Sequence, residues 1–129
     1  MTSGGGVVTD PDIARGYVET RDTRQSDGAE VRHGDRIRMH YQIALSETDV
    51  MSGLWVEDSW PSDKPVEFVV GAGDVLAGID LAVAGMRLAS YRMATILAPA
   101  GLGSRGSSNR VPPGSTLWCN LYIADILTG

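Results

Sequence analysis

The side chains that ordinarily carry out chemistry are sparse in this sequence, and their spacing closes off most reactions. Histidine occurs twice, at His33 and His40, too few for an imidazole metal cage and without His-x-x-x-His spacing. The single cysteine, Cys119, excludes an intramolecular disulfide and a cysteine-rich zinc site within this chain. No Ser, His and acid set forms a recognisable motif, and no nucleophile elbow is present. Carboxylates do lie close together in Glu57-Asp58 and at Glu47 and Asp49, but on a polar stretch where such pairs are ordinarily solvated. Gly71-x-Gly73 ahead of a helix invites a dinucleotide loop, yet the third glycine is misplaced and no βαβ unit follows. Acid/base, nucleophilic and metal chemistry therefore lack support, and no cofactor is expected. What remains is a concave apolar site that works by shape and desolvation.

Sites of that kind usually draw on aromatic rings, and this chain has three Trp, four Tyr and one Phe in 129 residues. The length fits one domain. With 43% hydrophobic and 21% charged residues, the composition is that of an ordinary globular fold. The net charge of −5 falls wholly in the first half of the chain. An acidic domain without a basic stripe neutralises few phosphates, so no nucleic-acid partner is expected. No apolar run approaches ~18 residues, so no membrane span is expected. Residues 1–10 lack the charged start and apolar stretch of a secretory signal. That leaves a cytoplasmic protein or an organellar one whose leader has been removed.

The elements that must position such a site can be traced by periodicity. Residues 1–11, with a Gly triplet and Asp10-Pro11, read as a flexible arm, leaving 12–129 as the domain. The chain looks folded from Val31, and Gly34-Asp35 marks a turn. From Arg36 to Leu45, apolar residues at odd positions alternate with polar ones at even positions, which predicts a strand with Tyr41 facing inward. Residues 46–65 read as an acidic loop or broken edge strand carrying Trp55 and Trp60. Val66 to Val70 is a short strand. Leu76 to Met86 fits one helix, with Ile79, Val83 and Met86 in phase and Asp74 as its N-terminal cap. Tyr91 to Ala98 forms another strand. Residues 99–115 make a long loop, whose length without regular structure suggests a function. Thr116 to Leu127 closes the chain as a strand, with Leu117, Cys119, Leu121 and Ile123 on one face, where a thiol is ordinarily buried and inert. The fold class is α+β: an antiparallel sheet with one short helix packed on it.

Three segments together resemble the FKBP-type peptidyl-prolyl isomerases. They are Gly34-Asp35 leading to His40-Tyr41, Pro65-Val-Glu-Phe68 followed by Gly71-Ala-Gly-Asp-Val-Leu-Ala-Gly78-Ile-Asp80 and Gly85-Met86, and Leu102-Gly103 with Val111-Pro-Pro-Gly-Ser-Thr-Leu117. The resemblance implies a five- or six-stranded antiparallel sheet wrapped around one short helix, and catalysis of rotation about the bond preceding proline. It places Tyr41 as the pocket tyrosine, Phe68 as a core aromatic beside the pocket, Val75 and Leu76 as the apolar pair whose second N–H binds a carbonyl, and Val111 as a loop contact. Elsewhere the sequence departs from the family pattern. The usual Phe-Asp pair is matched by Val56-Glu57, the wall Phe by Val66, the floor Trp by Ile79, the loop Tyr by Leu102 and the last-strand Phe by Cys119. Gln42-Ile43 replaces a Thr-Gly.

The implied catalytic set is thus Tyr41, Glu57, Leu76 and Leu102, with Val56, Val66, Phe68, Val75, Ile79, Val111 and Cys119 binding substrate. The partners implied are proline-containing protein segments. The thinned aromatic pocket leaves open a slow isomerase, a non-catalytic chaperone or assembly subunit of a larger complex, and a small-molecule binding module. Trp55 and Trp60 could either pack or reach into the pocket from the longer loop.

Overall fold

The structure is a computed structural model that describes residues 7, 8, 10–102 and 111–127. The elements run α1 (Pro11–Ala14), β1 (Val18–Arg24), β2 (Arg36–Ala44), α2 (Glu47–Ser52), β3 (Glu57–Asp58), β4 (Val66–Val69), α3 (Ala77–Val83), β5 (Tyr91–Ile96) and β6 (Leu117–Ile126). All strand pairs are antiparallel, in the order β1-β5-β6-β2-β3, and β4 also pairs with β2. β3 and β4 share one edge of β2: Gln42 and Ile43 face Asp58 and Glu57, while Arg36 to Met39 face Val69 to Val66. The ladder along that edge is therefore interrupted opposite His40 and Tyr41.

The expected antiparallel sheet is present with six strands. The alternation in β2 places Ile37, Met39 and Ile43 inside, and β6 buries Leu117, Cys119, Leu121 and Ile123. These side chains form one core with Phe68 of β4, Ile96 of β5 and the buried face of α3. Helix α3 lies close to the sheet because of Gly78. A Cβ there would meet Ile96 Cγ2 at 2.5 Å and the Ala100 carbonyl oxygen at 3.0 Å.

Two expectations about α3 are corrected. Helix α3 ends at Val83, short of Met86, because its far end is claimed by tertiary contacts: the Val31 N–H donates to the Met86 carbonyl, and the Gly85 N–H to the Val31 carbonyl. Arg92 also donates to the carbonyls of Ala82 and Ala84 at 2.8 and 3.0 Å, capping carbonyls that have no intrahelical partner. Asp74 does not cap α3; its carboxylate takes the Val69 N–H at 3.1 Å. Asp80 instead secures the loop before the helix, accepting the N–H groups of Gly71 and Gly73 at 2.7 and 3.1 Å.

Regular structure also begins well before Val31. β1 is almost wholly exposed, so it carries no apolar alternation and is held by backbone pairing to β5. Within 46–65, residues expected to be irregular form α2. Ser46 caps it by accepting the Asp49 N–H at 3.1 Å, and Gly53 closes it at φ 70°. That cap-and-glycine spacing was the available signal.

Of the expected flexible arm, residues 1–6 and 9 lie outside the described residues, as do residues 103–110 of the long loop.

Candidate functional site

One face of the sheet, the start of α3 and the loop before it enclose a cleft of about 480 Å³. Its lining comprises Met39, Tyr41 and Ile43 of β2, Val66 of β4, Asp74, Val75 and Leu76 ahead of α3, Ala77 and Ile79 on α3, Gly101, and Val7 and Val8. Period-2 geometry explains why Met39, Tyr41 and Ile43 share this face. Of the eleven site residues named from the sequence, Tyr41, Val66, Val75, Leu76 and Ile79 meet here.

The other six stand outside the lining. Phe68, Val111 and Cys119 are buried in the core, and Val56 and Leu102 are half-buried against it. Glu57 sits on β3 opposite Ile43. Burial pushes the Cys119 thiol up to about 12, so it stays protonated and inert at neutral pH. Met39, Ile43 and Ala77 were missed although the strand and helix periodicities contained them. Val7 and Val8 carried no signal, since nothing local to a short apolar dipeptide says where it will pack.

Tyr41 is half-buried, and its hydroxyl has no hydrogen-bond partner among the described residues. Its backbone is fixed at the interruption between β3 and β4. The Tyr41 N–H donates to Ser59 Oγ at 2.8 Å, and the Ser59 N–H donates to the Tyr41 carbonyl at 3.0 Å. Ser59 Oγ also lies 2.8 Å from His40 Nδ1, and His40 Nε2 lies 3.2 Å from Asp63 Oδ1. Ser59 Oγ also lies 3.2 Å from the Tyr41 carbonyl oxygen, so its one hydrogen has two acceptors within reach, that carbonyl and His40 Nδ1. The Leu76 N–H precedes the first bond of α3 and has no partner within the helix.

His40 points away from the cleft, onto the opposite face of the sheet. Trp60 covers it there, with ring centroids 3.8 Å apart and an interplanar angle of 14°. Trp60 also packs on Tyr122, which meets Tyr91. This overturns the notion that the loop tryptophans reach into the cleft: Trp60 roofs the far face, and Trp55 is half-buried outside the lining. The Gln42 substitution belongs to that face too. Its side chain accepts from Asn120 and donates to Asp58, bridging β6, β2 and β3. Beside it, a hydrogen bond from Arg38 holds the exposed Glu67 carboxyl below its ordinary range, with Arg36 adding to the effect.

A six-stranded antiparallel sheet, a short helix against it and an apolar cleft floored by that helix define a prolyl-isomerase architecture. The family model described as FKBP-type peptidyl-prolyl cis-trans isomerase matches residues 28–121, and the chain belongs to that family. FK506-binding protein 4 of Rhizopus delemar is 35% identical over 96 residues, covering 74% of this chain and 24% of that protein. FK506-binding protein 2 of Candida glabrata is 32% identical over 93 residues, covering 72% and 65%. An FK506-binding protein of Streptomyces anulatus is 30% identical over 109 residues, covering 83% and 82%. The chain thus spans from a quarter to four fifths of these relatives. The crystal structure of AtFKBP13 superposes with a TM-score of 0.71 at 26% identity, over 84% of this chain and 92% of that one. Among the described residues no helix is long and apolar enough to cross a membrane.

Proposed function

We propose that this domain, taken as residues 12–129, catalyses cis-trans isomerisation of X-Pro bonds in protein clients, at a rate reduced by the aliphatic lining of its cleft. The observation that carries this reading is the convergence of Tyr41, Val75, Leu76 and Ile79 on one apolar cleft, with a tyrosine hydroxyl that has no intramolecular partner among the described residues. The uncatalysed rotation faces a barrier of ~18–20 kcal/mol because amide resonance must be broken. The twisted amide is less dipolar than the planar one, so an apolar cleft favours it relative to water. Tyr41 hydroxyl and Leu76 N–H serve as donors that orient the flanking carbonyls. Val66, Val75 and Ile79 supply the walls that exclude water.

The reaction needs no nucleophile, metal or cofactor. The acidic surface argues against a nucleic-acid partner. A second reading, a non-catalytic chaperone or assembly subunit, draws its support from Val66 and Ile79 standing in the cleft where aromatic rings would grip a proline.

Exchange NMR on a Pro-containing peptide separates the two. Catalysis raises the cis-trans exchange rate at substoichiometric protein; a rate unchanged by stoichiometric protein overturns the isomerase reading. Tyr41→Phe removes one neutral hydrogen bond worth about 0.5–1.5 kcal/mol. We expect kcat/KM to fall about two- to tenfold with the thermal midpoint unchanged.

A further inference from the structure

Val7 and Val8 bring to the cleft a wall that lies outside the residues 28–121 matched by the family. Among the described residues the segment is tied at Val8 and again just after it. The Val8 N–H donates to the Pro99 carbonyl at 2.7 Å, and the Val8 side chain packs half-buried against the core. Two residues on, Asp10 caps α1 by accepting the Asp12 N–H at 2.9 Å. Ala14, fully buried, anchors that helix, which packs on α3. A valine anchored through its own backbone and followed by a capped helix is a placed residue.

The cleft keeps about 480 Å³ with Val8 present, a size typical of ligand pockets. The segment therefore adds a side to the cleft and leaves its centre open. Its neighbours in the lining include Tyr41, Val75 and Leu76, the residues assigned above to the proline and its carbonyls. With Val66 and Ile79 in place of larger rings, much of the apolar contact a bound segment can make falls to this added side.

We infer that Val8 is a specificity-determining wall of the cleft, contacting the side chain that flanks the bound proline and favouring an apolar residue there. This rests on the isomerase reading. The test compares kcat/KM by exchange NMR for Leu-Pro and Gly-Pro peptides with the wild type, Val8→Ala and Val8→Ile, each checked for an unaltered thermal midpoint.

Truncating a half-buried valine removes part of its apolar contact. The expected result is an about three- to tenfold fall in the Leu-Pro over Gly-Pro preference in Val8→Ala, carried by KM and restored by Val8→Ile. A wild type that catalyses exchange while Val8→Ala keeps the same preference overturns this inference alone. A Val8→Ala protein faster on both peptides shows the segment to be a plug, which also overturns it. A wild type without catalysis removes the isomerase reading and this inference with it.

Discussion

Ser59 closes the interruption along the edge of β2, and Ser59→Ala is the perturbation that measures it. The edge of β2 leaves its ladder opposite His40 and Tyr41, where Ser59 bridges the gap with its N–H on the Tyr41 carbonyl and its buried hydroxyl on the Tyr41 N–H. Ser59 Oγ accepts the Tyr41 N–H at 2.8 Å and meets His40 Nδ1 at the same distance. Both His40 and Ser59 are buried, at 4% exposure. Alanine leaves a backbone donor and a ring nitrogen without partners, and each buried orphan costs about 1–3 kcal/mol. Partial relaxation of the loop toward water trims the sum, so we expect a loss of about 2–4 kcal/mol. In urea, with a slope of about 2 kcal/mol per molar, the middle of the usual range, the unfolding midpoint falls by about 1–2 M. The control is Asp63→Asn, which removes the charge yet keeps a residue tolerant of the φ of 49° there: Asp63 faces the other ring nitrogen but is 88% exposed, so the change alters stability by under about 1 kcal/mol. Ser59→Thr, which keeps the hydroxyl, retains most of the stability. Because the same hydroxyl fixes the Tyr41 backbone, Ser59→Ala is also expected to lower the proposed isomerase activity under conditions where the protein remains folded. A Ser59→Ala protein as stable as Asp63→Asn would refute the idea that this hydroxyl closes the broken edge.

Two further outcomes follow from the packing. Gly78→Ala gains helix propensity worth about 0.5–1 kcal/mol but drives a methyl into buried Ile96 and the Ala100 carbonyl. Overpacking of that kind costs about 1–3 kcal/mol, so calorimetry is expected to show a net loss of stability; a rise in the thermal midpoint would mean that α3 has room to move off the sheet. Cys119, raised from 9.0 to about 12 by burial, resists alkylation in the native protein at pH 8 and reacts only on unfolding. The unfolded thiol ionises first as pH rises, so stability falls through the window from about 9 to about 12, by about 1.4 kcal/mol per pH unit. Rapid labelling of native protein, or a flat alkaline profile relative to Cys119→Ala, would contradict the burial.

The parts of the fold legible in the sequence are those where one face of an element is buried. β2, β4, β5 and β6 announce themselves because alternate side chains enter the core, and α3 because its apolar residues recur at helical spacing. β1 escaped because it is an exposed edge strand whose side chains are polar on both faces and whose stability comes from hydrogen bonds to β5. The far end of α3 escaped because Val31 and Arg92, distant in sequence, take its last carbonyls. His40 shows the same limit: its even register in β2 predicts a solvent-facing side chain, and only the fold of residues 57–64 brings Trp60 over it.

For the site, the chain by itself determined the class of chemistry. Two histidines, one core cysteine and scattered carboxylates give little support to acid/base, nucleophilic or metal chemistry, and the motif order from Gly34 to Leu117 points to the FKBP family that the comparison with known proteins then established. The resemblance named five of the cleft residues; that its other six stand outside the lining, and that Met39, Ile43, Ala77, Val7 and Val8 join it, was decided by tertiary structure. Tyr41, Val66 and Ile79 lie on three separate stretches of chain, and Cys119 turns inward to the core although its aligned position suggested the pocket, while Phe68 packs in the core as a residue beside the pocket would. Local pattern reports which side of an element is buried, because that depends on side chains a few residues apart. It cannot report which buried side faces a cavity or why Val8 joins Tyr41, because those contacts are made by chain segments whose meeting is set by the packing of the whole domain.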